Sequence, residues 1–211
     1  MRACLIDFHD TLVYSEDAQV WVERAEAACG VRAQAGLADL VQGAYGRAET
    51  LFPDIERDLD PVSHRLALTR TLVSEGTDER LADALYDTMP STWQAFTDSR
   101  DFLTSLGKLG VRRCLMSNVG MDLRPRLADL GLIDLLDDIV LSCEIGAVKP
   151  NREAFAAGLH ACGTEPQHTV MIGDSPRHDS AAANLGITTV ILGPPTGTTR
   201  GLMSLLGLFA P

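Results

Sequence analysis

Carboxylates, hydroxyls and a lysine stand just beyond several short apolar runs. Asp7, His9, Asp10 and Thr11 follow the first run, and Ser117 and Asn118 follow the second. Lys149 precedes Pro150 near a helix start, while Gly173, Asp174 and Ser175, with Asp179 close behind, follow a later run. If these runs are buried parallel strands, their following residues converge on one crevice, because an open parallel sheet binds ligands outside the carboxyl ends of its strands. Carboxylate oxygens are hard ligands suited to Mg²⁺, which takes one or two protein carboxylates and leaves other positions to water and substrate phosphate. A carboxylate nucleophile beside such an ion and a lysine makes a workable phosphoryl-transfer site. The metal would hold phosphate and nucleophile together despite their like charges.

The elements that must position these groups are legible from periodicity. Residues 3–8 form a short apolar run ending in polar residues and a turn, as a fully buried parallel strand does. Residues 111–116, 138–141, 169–173 and 188–192 share that character. Between them lie helical patterns at 122–130, 152–161 and 178–185, closed by Gly131, Gly163 and Gly186. Alternating strands and helices predict an α/β fold, a Rossmann-like doubly wound parallel sheet.

Residues 15–90 break the alternation, with helical signals and no convincing strand. Helix starts are marked by Ser15-Glu16-Asp17, Asp60-Pro61 and Thr77-Asp78-Glu79. Gly36, Gly43 and Gly46 weaken helix formation over 34–48. The stretch reads as a helical insert, which assigns 1–14 and 91–211 to the core and 15–90 to the insert. Residues 202–209 are apolar with helical spacing and are expected to pack back on the core. Trp21, Tyr45, Phe52 and Trp93 read as packing residues, and His64, His160, His168 and His178 show no metal-ligand spacing. Arg24 and Arg47 lie in the insert, where they could reach an anionic substrate or simply face solvent.

Eighteen Lys and Arg against twenty-nine Asp and Glu give a formal net charge of -11. That balance repels phosphate backbones and anionic membranes, so neither nucleic acid nor a membrane is an expected partner. The five cysteines form no C-x-x-C pair and read as reduced thiols. Asp7 cuts the first apolar run too early for a signal peptide, and no apolar stretch is long enough to span a bilayer. A cytoplasmic location is the expectation.

In order and placement, the chemistry-bearing residues resemble the four signature motifs of the haloacid dehalogenase superfamily. The first motif matches residues 5–12, Leu-Ile-Asp-Phe-His-Asp-Thr-Leu; the second matches Leu115-Met116-Ser117-Asn118; the third matches Lys149-Pro150; the fourth matches Ile172-Gly173-Asp174-Ser175 with Asp179. The likeness runs from residue 1 to about residue 192, and it makes the insert a helical cap domain. It implies a hydrolase of a small phosphorylated metabolite, with Asp7 as the nucleophile that forms an aspartyl-phosphate and Thr11 orienting it. Ser117 and Lys149 would bind the transferring phosphoryl group, and Asn118 would contribute to substrate binding. Mg²⁺ would be held by Asp7, the backbone carbonyl of His9 and Asp174, with Asp179 as ligand or support.

At one position the chain departs from the family. Phosphatases of this kind carry Asp two residues after the nucleophile, to protonate the leaving oxygen and then activate water; this chain has His9. Thr11-Leu12 keeps the motif register, so Asp10 does not slide into that role. An imidazole can donate and accept protons near neutral pH, which makes His9 the candidate acid/base. Two other readings stand beside it: a phosphate-ligand binder that has lost turnover, and a metal-independent haloacid dehalogenase. Phosphonate cleavage is set aside, because it needs a cap lysine and the chain's lysines are Lys108 and Lys149.

Overall fold

A computed structural model of the chain describes residues 1–210. Its elements run β1 (Ala3–Ile6), β2 (Val13–Ser15), α1 (Ala18–Cys29), α2 (Leu37–Val41), α3 (Ala44–Leu51), α4 (Pro61–Ser74), α5 (Glu79–Thr88), β3 (Trp93–Ala95), α6 (Ser99–Lys108), β4 (Arg112–Ser117), α7 (Arg124–Asp129), β5 (Asp138–Leu141), α8 (Ser142–Ile145), α9 (Arg152–Cys162), β6 (Thr169–Gly173) and β7 (Thr188–Ile191). Two later segments, Ser180–Leu185 and Leu202–Leu208, wind as 3-10 helices. One compact unit comprises Met1–Tyr14, Ala95–Asn118 and the chain from Asp122 onward; the other comprises Ser15–Gln94 with Val119–Met121. The chain leaves and re-enters the first unit within β2 and β3, which pair as a short ribbon that the sequence pattern did not announce.

The first unit is built on a parallel sheet of order β5-β4-β1-β6-β7. β1 is central and every one of its residues is buried, as expected of a strand lacking polar alternation. Its two faces are set by register. Leu5 aligns with Cys114 on β4 and Met171 on β6, and this face packs with Ala154, Phe155 and Cys162 of α9. A methyl group on Gly158 would stand 3.1 Å from the Leu5 side chain, so a residue without a side chain lets α9 lie close to the sheet. Cys4 aligns with Arg113 on the other face, where the Arg113 guanidinium meets the Leu103 carbonyl of α6.

The strand order carries the chain outward from β1 through β4 to β5, then back across β1 to β6 and β7. The carboxyl ends of β1, β4 and β6 are therefore neighbours at the switch in direction, the expected place for a ligand crevice. Two predicted α-helices are corrected here. The 178–185 pattern becomes the 3-10 segment Ser180–Leu185, and the tail becomes the 3-10 segment Leu202–Leu208. The tail does pack back on the unit, with Phe209 buried and edge-on to Phe102 of α6.

In the helical unit, Asp17, Asp60 and Asp78 accept hydrogen bonds from the first-turn amides of α1, α4 and α5. Gly36 and Gly43 adopt left-handed backbone just before α2 and α3, which splits the 34–48 stretch into separate helices. His64 is buried, with Nδ1 3.0 Å from the Tyr86 hydroxyl and 3.3 Å from that of Tyr45. Burial, with help from the Arg57 charge, lowers its pKa from 6.5 to about 4.

Candidate active site

Asp7 follows β1 directly, and its amide donates to the Ile172 carbonyl of β6 at 2.9 Å. Pinned there, its side chain is only 12% exposed. Lys149 comes to it from the loop before α9. The ammonium donates to Asp7 Oδ1 at 2.6 Å and to Asp179 Oδ1 at 2.7 Å, and the lysine itself is buried. Asp179 is fully buried, and its second oxygen accepts from the Ser175 amide at 3.0 Å. Its carboxylate also explains Gly173: a methyl group there would lie 2.1 Å from Asp179 Oδ2, so only glycine fits at the end of β6.

Asp7, Asp174 and Asp179 each present a carboxylate oxygen, all within 4.8 Å of one another. Their electrostatics are those of a crowded anionic site. Burial raises the Asp7 carboxyl; Lys149 opposes that rise and Asp179 adds to it. Burial, followed by the charges of Asp7, Asp10 and Asp179, lifts Asp174 from 3.8 to about 6. Burial works against the Lys149 ammonium, but the Asp7 and Asp179 carboxylates outweigh it and hold the pKa above its ordinary value. One lysine thus faces three clustered carboxylates. That deficit of positive charge, together with the hard oxygen donors, fits a divalent cation such as Mg²⁺. The Thr11 hydroxyl is also fully buried next to this turn and has no hydrogen-bond partner among the described residues.

Ser117 ends β4, buried and paired in register with Leu141. The Asn118 side chain rests on the backbone of Lys149. Its Nδ2 donates to the Lys149 carbonyl at 2.8 Å and its Oδ1 accepts from the Lys149 amide at 2.7 Å. Both ends of the amide side chain are thus tied to Lys149. Ser175 likewise turns inward on its own loop, with Oγ 3.2 Å from His178 Nδ1. Within the helical unit both candidate arginines are committed. Arg24 bonds Glu16 and the Ser91 carbonyl, and Arg47 bonds Glu75 and two backbone carbonyls.

His9 lies on the open side, its side chain 47% exposed, with Nδ1 3.6 Å from Asp10 Oδ2. Loss of water around the ring lowers its pKa. The close Asp10 carboxylate and the charges of Asp7 and Asp174 oppose that and raise the net value. Asp10 has φ 53, the only non-glycine residue with positive φ among the described residues, a conformation that short polar side chains tolerate best. Its carbonyl accepts from Arg200 Nε at 2.5 Å. Arg200 had no signal in the sequence, because it sits far along the chain beyond the last strand and matches no motif.

The chain is similar to known proteins in sequence and in fold. The sequence profile of haloacid dehalogenase-like hydrolases matches residues 1–186. A glyceraldehyde 3-phosphate phosphatase of Methanothermobacter thermautotrophicus is 26% identical over 198 residues, covering 91% of this chain and 85% of its own. Among solved structures, the HAD-hydrolase YfnB of Bacillus subtilis, solved with magnesium bound, superposes with a TM-score of 0.75 at 19% identity, covering 100% of this chain and 99% of its own. L-2-haloacid dehalogenase of Xanthobacter autotrophicus superposes at 0.71 with 22% identity, covering 100% and 85%. The two superpositions speak to the fold, whereas the profile match spans the first-strand, β4, lysine and β6 motifs together. With most of its length matched by one profile, the chain belongs to the haloacid dehalogenase-like hydrolase family.

Proposed function

We propose that this chain hydrolyses a small phosphate ester through an aspartyl-phosphate on Asp7, with His9 moving the protons. The observation that carries this reading is the Lys149 ammonium bridging Asp7 and Asp179 beside Asp174. A halide-displacing site needs one carboxylate nucleophile; a cluster of three with a buried lysine suits a dianionic phosphoryl group and its counter-cation. The phosphatase name of the Methanothermobacter relative supports the same class of substrate.

In this mechanism an oxygen of Asp7 attacks phosphorus while the bond from phosphorus to the leaving oxygen breaks. His9, protonated, gives its proton to that oxygen. Water then attacks the aspartyl-phosphate, His9 takes the water proton, and the bond from phosphorus to the Asp7 oxygen breaks to release phosphate. Lys149 and Ser117 bind the phosphoryl oxygens, and the buried Thr11 hydroxyl, unpartnered among the described residues, would turn to orient Asp7. Asp7, Asp174 and the His9 carbonyl would hold Mg²⁺, whose contribution when bound is to neutralise charge between nucleophile and phosphoryl group. Asp179 already accepts at both oxygens, so its part is to support this set from behind. The exposure of His9 suits proton exchange with water, and the nearby Asp10 carboxylate suits stabilising its charged form.

The test is phosphate release from a panel of small phosphate esters, with and without Mg²⁺, by the native protein, His9→Ala and His9→Asp. Native turnover that needs Mg²⁺ and falls about 10²–10⁴-fold in His9→Ala is the expected result. Full turnover in His9→Ala would remove His9 from the chemistry. Turnover in His9→Asp alone would make the native chain a phosphate-ligand binder, and halide release without Mg²⁺ would make it a dehalogenase.

A further inference from the structure

Behind the His9–Asp10 turn, within the sheet unit, lies a clamp built from two distant parts of the chain. Asp98, just before α6, accepts hydrogen bonds from the amides of Arg200, Gly201 and Leu202 at 2.9, 2.8 and 2.8 Å. Its side chain makes no hydrogen bond to its own helix, although an Asp in that place ordinarily caps one. The Thr97 amide donates a hydrogen bond to the Thr198 carbonyl at 2.8 Å, and its hydroxyl lies 2.7 Å from that of Thr199. Segment 198–202 is thereby fixed at five points against 97–98.

The one long side chain this clamp aims at the motif is Arg200. Nε donates to the Asp10 carbonyl at 2.5 Å, Nη2 donates to the Gly193 carbonyl at 2.7 Å, and the guanidinium stands 5.7 Å from the Phe96 ring centroid. Asp10 is the residue held at φ 53. A planar fork that reaches two carbonyls while resting on an aromatic face is a geometry Arg provides and Lys does not.

We propose that Arg200 is a positioning residue for the His9–Asp10 turn: gripping the Asp10 carbonyl, it sets the direction of the His9 side chain and of the His9 carbonyl. This rests on the phosphohydrolase reading for its catalytic consequence, though not for its structural one. The neighbouring carboxylates repel one another across the turn, and a second cation at its back holds it in place. A misplacement of about 1 Å in a catalytic group costs about 10²-fold in rate, so a backbone grip here reaches the chemistry without touching substrate.

The experiment uses the full chain with Arg200→Met, Arg200→Lys and Thr199→Ala. Thr199→Ala loosens the same segment at a contact that does not reach Asp10. Three quantities are read: amide hydrogen exchange at residues 9–12, Mg²⁺ affinity by calorimetry, and kcat and KM for a small phosphate ester. Arg200→Met is expected to speed exchange at residues 9–12, to weaken Mg²⁺ binding about tenfold, and to lower kcat about 10–100-fold with KM little changed. Arg200→Lys is expected to recover only part of each, and Thr199→Ala to lower the melting temperature while leaving kcat alone. Native exchange and native Mg²⁺ affinity in Arg200→Met overturn the proposal, as does a kcat loss in Thr199→Ala that matches the one in Arg200→Met. Should Arg200→Met fail to fold, Arg200→Lys decides, because native exchange at residues 9–12 without the fork also overturns it. Should the native chain release no phosphate from any ester, the functional reading falls, while exchange and Mg²⁺ affinity still decide the role of Arg200.

Discussion

Replacing Asp174 with Asn should stabilise the protein when divalent cations are chelated and destabilise it, relative to the native chain, when Mg²⁺ is supplied. Burial and the charges of Asp7, Asp10 and Asp179 raise this carboxyl from 3.8 to about 6. A group whose folded pKa lies above its unfolded value contributes stability that is complete below the unfolded pKa and is lost as pH rises through the folded one. At neutral pH the ionised Asp174 therefore works against the fold. An interval of about two pH units corresponds to about 3 kcal/mol. The side chain is partly exposed, and screening by solvent reduces that figure to about 1–2 kcal/mol. In a chain of this size the difference amounts to about 2–8 °C in melting temperature. Melts of both proteins in EDTA, at neutral pH and near pH 4, should show the advantage of Asp174→Asn at the first and its disappearance at the second. Mg²⁺ at about a hundredfold its Kd should then add about 2.7 kcal/mol to the native chain. Less should accrue to the variant, reversing the order. If Asp174→Asn melts no higher than native in EDTA, the carboxylate crowding inferred here is wrong. Equal gains from Mg²⁺ would remove Asp174 from the metal site.

Lys149→Met strips the cation from between two buried carboxylates and should cost about 3–5 kcal/mol of stability without Mg²⁺. Urea unfolding in EDTA measures this, and native stability would mean that Lys149 does not compensate Asp7 and Asp179. The same variant should lower phosphate release about 10²–10³-fold, measured with saturating ester and Mg²⁺. In the helical unit, the His64 pKa of about 4 lies below its ordinary 6.5, so the neutral ring's contribution is complete above about pH 6.5 and is lost as pH falls toward 4. That window is worth about 3 kcal/mol; His64→Gln should flatten it in circular-dichroism melts from pH 7 to 4, and an unchanged slope would place the acid sensitivity elsewhere.

Much of the fold was legible because buried parallel strands are written as short apolar runs. The strands expected at 138–141 and 169–173 are β5 and β6 with the same bounds, and the others differ only at their ends. The β2–β3 ribbon was not legible, since three-residue strands paired across some eighty residues leave no local period. The 3-10 winding of Ser180–Leu185 was equally hidden, because apolar spacing over six residues does not separate it from an α-helix.

The sequence by itself determined which side chains could do chemistry here: their types, their order and their places after strands and before helices, down to histidine at position 9. These are local facts, and short-range pattern carries them. What each side chain contacts was decided by tertiary structure. Asn118 and Lys149, 31 residues apart, meet through two hydrogen bonds. Asp179 reads from sequence as a metal ligand or its support, and its carboxylate faces Lys149 and the Gly173 backbone. Arg200 reaches Asp10 across 190 residues. Contacts of that separation depend on how strands register and where loops close, and no window of sequence contains both partners.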